Sequence, residues 1–184
     1  MVRRFSEIRR TLFPILLLLI ILVAGWVRSL DINWDEGTHL HPDERYLTMV
    51  ASALDLPTNP GEYWNTASSP LNPENRGYAG YVYGTLPLFS ARVMGEWLDG
   101  ACSEDPPLPK ILLRRVVFGA DGVCREGHYT GYGGIHLVGR LLSILADLMT
   151  LLALTLLAYL LFGDAVALLS AALYAFAVLP IQHA

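Results

Sequence analysis

IHLVGRLLSILADLMTLLALTLLAYLLF, residues 135–162, carries only Arg140 and Asp147 as formal charges in an otherwise apolar run. At a rise of ~1.5 Å per residue a helix of this length reaches roughly 40 Å, enough to cross a ~30 Å hydrocarbon core with tilt or overhang. Gly163-Asp164 then reads as a tight turn, and residues 165–181 run back as another apolar stretch, so the two form a helical hairpin. A further apolar run, residues 12–27, follows a basic start in which Arg3, Arg4, Arg9 and Arg10 are opposed only by Glu7. A secretory signal peptide begins in the same way, but this run ends in Gly25-Trp26-Val27-Arg28 without a small-x-small cleavage signature. Trp26 and Arg28 suit an interfacial anchor, and Pro14 fits the first turn of a membrane helix.

These runs divide the chain into a cytoplasmic basic N-terminus (1–11), a first transmembrane helix (12–27), an outer loop (28–134), and two more transmembrane helices (135–162 and 165–181). The N-terminal arginines set the orientation by the positive-inside rule, which places the loop on the outer face. The expected fold is an all-α integral membrane protein of the cell membrane, with three spans and short amphipathic helices in the loop. A 53% hydrophobic composition and a mean hydropathy of +0.41 exclude an ordinary soluble domain. The net charge of −4 argues against nucleic acid as a partner. Arg140 and Asp147 require partners, and the last stretch carries no polar tail, so the chain reads as the N-terminal portion of a longer polytopic protein.

The loop is strongly acidic: twelve acids face three arginines between Asp31 and Asp105. His41-Pro42-Asp43-Glu44 is a helix start, with proline at the first position and acids in the first turn. Tyr46, Leu47, Val50, Ala51 and Leu54 continue at helical spacing. Residues 57–80, rich in Pro, Asn, Ser and Gly, read as loop. A second helix is expected from Thr85, with Leu88, Phe89, Val93 and Trp97 as its apolar face. A third, from Lys110 to Phe118, sets Lys110, Arg114 and Arg115 against aliphatic residues and suits a membrane surface. Cys102 and Cys124 fit either a disulfide or two free thiols.

Chemistry concentrates between Trp34 and Tyr46. Two acidic pairs, Asp35-Glu36 and Asp43-Glu44, can be helix-start and surface acids, or they can supply a general base. Arg45 and the helix N-terminus favour negative charge at Asp43, as a base for a hydroxyl acceptor requires. His39-x-His41-x-Asp43 has the look of a metallo-β-lactamase signature, but Glu44 stands where its final histidine would be. No cofactor is demanded; a divalent cation held by the acids is compatible with the pattern.

Four motifs in order resemble the GT-C membrane glycosyltransferases of the family 39 type, which include protein O-mannosyltransferases and the aminoarabinose transferases of lipid A. They are Pro42-Asp43-Glu44 with Tyr46, then Tyr83-Gly-Thr-Leu-Pro87-Leu-Phe89, Gly139-Arg140-Leu-Leu-Ser143, and Leu179-Pro-Ile-Gln182-His183. The second acidic motif and the later helices of that family are not in this chain, and residues 99–132 do not map onto it. The resemblance implies inverting transfer of a hexose or pentose from a polyprenyl-phosphate-linked donor to a lipid, glycan or protein acceptor. It implies Asp43 as general base, Glu44 as its catalytic neighbour, and Arg140, Tyr46, Tyr83, Asp35 and Glu36 as substrate-binding residues. Arg140 would either stabilise the leaving phosphate or pair with another helix, and Asp147 would pair structurally with a helix beyond this chain. A non-catalytic anchored binding or assembly protein and a transporter fragment are the competing classes.

Overall fold

A computed structural model describes residues 2–100, 107–118 and 127–177, and every secondary-structure element among them is helical. Cys102 and Cys124, left open as a disulfide or two free thiols, and the Leu179–His183 motif lie outside the described residues. The chain divides into two compact units, one of residues 1–30 and 143–184, the other of residues 31–142.

The first unit holds α1 (Val2–Ser29), most of α6 (Ile135–Phe162) and α7 (Asp164–Ala175). Thr11–Ser29 and Ile135–Phe162 are long and apolar enough to cross a membrane. α7 ends at Ala175, about 18 Å from its start, and residues 178–181 of the expected third span are not described. Helix α1 begins well before the apolar run, so Pro14 lies in its interior rather than in its first turn. The apolar run continues through it, because a membrane helix can leave one carbonyl without its usual donor when neighbours compensate.

Small residues let these helices approach. Ala24, Ala171 and Ala175 are buried with Leu151, and Ile20, Ile21 and Leu148 pack around them. Most leucines of α1 and the second half of α6 face outward, a surface suited to lipid and unsuited to water. Inside this unit lies an ion pair. Arg28, its side chain fully buried, pairs with Asp147 through Nε and donates to the carbonyls of Ala24 (3.3 Å) and Ala175 (3.0 Å). The Tyr174 hydroxyl donates to the other Asp147 oxygen at 2.7 Å. The partner expected for Asp147 from a further helix is therefore found within this chain, and Arg28 is a buried tie rather than an exposed anchor.

The second unit is built on α2 (Pro42–Ala53), α3 (Pro60–Trp64), α4 (Thr85–Asp99) and α5 (Leu108–Phe118), with a 3₁₀ turn at Pro73–Arg76. It also takes in the first eight residues of α6, so its boundary runs past residue 134. Val50 and Ala51 of α2 and Leu54 at its C-terminal cap form its core with Leu71, Leu88, Ala91 and Ile135. Asn59 and Asn72 cap the short helices, accepting from the backbone N–H groups of Glu62 and Glu74, which is how a stretch composed like loop gains two helical turns.

Helix α4 turns a different face inward from the one its large apolar residues suggest. Leu88, Ala91, Arg92, Gly95 and Leu98 are buried, whereas Val93 and Trp97 are exposed. Gly95 explains the choice. A Cβ there would stand 2.5 Å from the Tyr129 carbonyl oxygen, so only glycine admits the 128–130 segment. Asp99 secures that segment, accepting from the N–H groups of Tyr129 (2.9 Å) and Thr130 (3.1 Å). Buried Arg92 is neutralised by Glu96 and by Asp55, which also pairs with Arg76.

Arg28→Met alone leaves Asp147 without its cation and should cost roughly 3–5 kcal/mol, while Arg28→Met with Asp147→Leu should recover most of that loss. Unfolding of the purified chain in detergent, compared across the three variants, measures the difference.

Candidate functional site

The site begins with a tightly wound segment. Between α1 and α2, Asp31, Glu36 and His39 adopt positive φ (55°, 51° and 52°) beside Gly37 at 72°. Non-glycine residues take up this region only when their surroundings hold them there. The hold comes from side chains. Asp35 has a fully buried side chain and accepts from Arg140 Nη1 at 3.0 Å and from the Gly37 N–H at 3.3 Å. Arg140 Nη1 also donates to the Ile32 carbonyl oxygen at 2.8 Å. On its other edge the guanidinium forms a two-pronged bridge to Glu44, Nε at 2.6 Å and Nη2 at 2.8 Å. The Trp34 ring lies 5.3 Å from the guanidinium carbon.

One cation thus joins the first turn of α2, the wound segment and the start of α6. The fork-to-carboxylate geometry makes Glu44 the stronger tether. Burial alone would raise the Asp35 carboxyl. The hydrogen bond and charge of Arg140, with backbone N–H groups of Gly37 and Leu40, outweigh it and hold Asp35 at about 2.

Next to Glu44 in sequence, Asp43 has a different setting. It lies exposed in the first turn of α2, in no ion pair among the described residues, and accepts from the Tyr83 hydroxyl at 3.3 Å. Tyr46, one turn further along α2, has its ring centroid 6.2 Å from those of Tyr78 and Tyr83 and 6.3 Å from that of Tyr81. Tyr78 and Tyr81 are anchored by their hydroxyls to the carbonyls of Met49 and Gly84. The Asp43 charge, then partial burial, raise the Tyr83 phenol above its ordinary range, which keeps it a hydrogen-bond donor at neutral pH. Arg45 does not reach Asp43: its Nε donates to the His39 carbonyl oxygen at 2.9 Å.

Of the residues singled out from the sequence, Asp35, Glu44 and Arg140 come together in one partly buried cluster, and Asp43, Tyr46 and Tyr83 in a more exposed one. Glu36 joins neither. It faces outward, and its backbone N–H closes a turn onto Asn33.

Two buried histidines were not legible as a pair. His39 packs 4.4 Å from the Tyr132 ring and 4.5 Å, edge to face, from that of His136. Both His39 ring nitrogens and His136 Nδ1 are without hydrogen-bond partners among the described residues. Nearly a hundred residues separate them, and no spacing signal in the chain announces such a contact. Among the described residues no three His, Cys, Asp or Glu side chains are placed to hold a metal ion.

Comparison with models of protein families, with curated proteins and with solved structures finds no match.

Arg140→Ala strands Asp35 as a buried, unpaired carboxylate and should destabilise the second unit by roughly 3–5 kcal/mol. Arg140→Lys should recover only part, because an ammonium cannot form the fork to Glu44. Asp35 also sets a pH dependence. Its folded value lies below the ordinary 3.8, so its contribution, ~2 kcal/mol, is complete above that pH and disappears as pH falls toward about 2. Acid unfolding followed by tryptophan fluorescence should show this slope in the wild type and lose it in Asp35→Asn.

Proposed function

We propose that this chain belongs to a GT-C glycosyltransferase resembling family 39, and that it supplies the acceptor-side carboxylate for sugar transfer from a polyprenyl-phosphate donor at the outer face of the cell membrane. The observation that carries the reading is the division of labour between adjacent acids. Glu44 is consumed by Arg140, which leaves Asp43 exposed on a helix N-terminal turn with a tyrosine hydroxyl on one oxygen.

In this reading Asp43 accepts the proton of an acceptor hydroxyl or amine as that atom attacks the anomeric carbon. The bond to the phosphate oxygen breaks on the opposite face, configuration inverts, and polyprenyl phosphate leaves. Tyr46 and Tyr83 offer ring faces beside the carboxylate for a lipid, glycan or protein acceptor. Four of the five N–H donors of Arg140 are engaged by Asp35, Glu44 and Ile32, which supports a positioning role over charge stabilisation of the leaving phosphate. Three membrane spans with the N-terminus in the cytoplasm fit the basic start and the lipid-suited surface of the first unit. The transporter alternative drew on Arg140 and Asp147, and each has carboxylate or guanidinium partners within the chain, Arg140 with Asp35 and Glu44 and Asp147 with Arg28, which weakens that motive.

Asp43→Asn should lower transfer from a radiolabelled polyprenyl-phosphate sugar by about 10²–10⁴-fold in reconstituted membranes, with membrane insertion and unfolding unchanged. Undiminished transfer by the folded Asp43→Asn chain would sink the assignment.

A further inference from the structure

Tyr46, Tyr81 and Tyr83 stand at the corners of a nearly equilateral triangle. Their ring centroids lie 6.3 Å (Tyr46 to Tyr81), 5.9 Å (Tyr81 to Tyr83) and 6.2 Å (Tyr46 to Tyr83) apart, and the planes meet at 22°, 51° and 48°, so no pair is edge-on. A point central to the three is about 3.5 Å from each centroid, well inside the ~6 Å over which an aromatic ring attracts a cation. Tyr46 comes from α2, and Tyr81 and Tyr83 from the connection ahead of α4. Hydroxyl bonds to the Gly84 carbonyl and to Asp43 hold the latter two. The triangle lies at the surface of its unit, with Tyr83 exposed and the other two rings half-buried.

The charges around it favour a positive guest. Asp43, bonded to the Tyr83 hydroxyl, is in no ion pair among the described residues. Burial raises the Tyr81 phenol and the Asp43 charge raises that of Tyr83, so both stay neutral at physiological pH and the carboxylate supplies the negative charge of the cluster. The cation–ring contacts among the described residues lie elsewhere, Arg28 on Tyr174, Lys110 on Trp97 and Arg140 on Trp34. Arg45, the nearest cation in sequence, donates to the His39 carbonyl oxygen instead. An anion would meet the Asp43 charge and be repelled, whereas an ammonium gains from the carboxylate and from the rings together.

We propose that Tyr46, Tyr81, Tyr83 and Asp43 form a recognition site for an alkylammonium group, so that the acceptor brought to Asp43 carries a protonated amine. The ammonium binds without reacting, and the attacking atom is a hydroxyl of the same acceptor, whose proton passes to Asp43. The inference rests on Asp43 facing the acceptor, but it is read by equilibrium binding: it can fail with sugar transfer intact and hold with transfer absent.

The test uses the full chain in a non-ionic, sugar-free detergent, with binding followed by saturation-transfer NMR of the ligand. Ethanolamine and glucosamine should bind about tenfold more tightly than their uncharged counterparts, ethylene glycol and glucose. Tyr83→Leu, at an exposed position outside the core, should weaken ammonium binding about fivefold, while Tyr83→Phe keeps the ring and most of the affinity. Asp43→Asn should cost about tenfold. Glu74→Gln, which removes an exposed acid elsewhere on the unit, should cost nothing. Tighter binding of glucosamine supports an amino-sugar acceptor, and tighter binding of ethanolamine a small aminoalkyl group. Glucose or ethylene glycol binding as tightly as the amines overturns the proposal. So does full affinity in folded Tyr83→Leu, which would reduce the site to an ion pair, and so does an equal loss in Glu74→Gln, which would make the attraction diffuse.

Discussion

A guanidinium withdrawn from water has to be neutralised where it lies, and at Arg140 that requirement organises the whole second unit. Asp35 and Glu44 are nine residues apart in sequence and about a hundred from their cation. To bring both carboxylates to one guanidinium, the chain between α1 and α2 winds through three non-glycine residues at positive φ, a region side chains seldom adopt, and least readily at Glu36. The ion pairs hold that strain in place. Either carboxylate alone would leave the geometry underdetermined, because one fork-to-carboxylate contact fixes a plane but not the path of the segment around it.

The first unit solves the same problem with fewer groups. Arg28 meets Asp147, and its remaining donors go to the Ala24 carbonyl of α1 and to the Tyr174 and Ala175 carbonyls at the end of α7, while the Tyr174 hydroxyl completes the carboxylate. Alanines at the contacts between helices make room for this arrangement. Packing of small residues and satisfied polar groups, rather than apolar burial, holds helices together where the surroundings are themselves apolar.

The chemistry of the site follows from what the ion pairs leave over. Two adjacent acids in one helical turn point about 100° apart, so a cation that takes one leaves the other outside. Glu44 becomes part of the scaffold, and Asp43 is presented beside Tyr46 and Tyr83. The neighbouring Tyr78 and Tyr81 are anchored by their hydroxyls to backbone carbonyls. The result is an exposed carboxylate on a helix start, flanked by tyrosine rings.

Local signals in the chain were sufficient for the longer helices. The apolar runs, Pro42 with its following acids, and the start at Thr85 mark the segments, because hydrophobic periodicity and capping act over a few residues. Residues 57–80 misled on composition, since Asn59 and Asn72 cap short turns that Pro and Gly content hides. Helix α4 misled on its face: a Gly95 that admits a backbone and an Arg92 that finds two acids outweigh the apolarity of Val93 and Trp97. From sequence alone the protein was already all-helical, apolar enough to meet a membrane, and rich in acids between its first two long apolar runs. Which acid is buried and which is presented, and which arginine is tied to which helix, only the tertiary structure decided. Pairing depends on the distance between charges in space, and residues a hundred positions apart carry no local record of that distance.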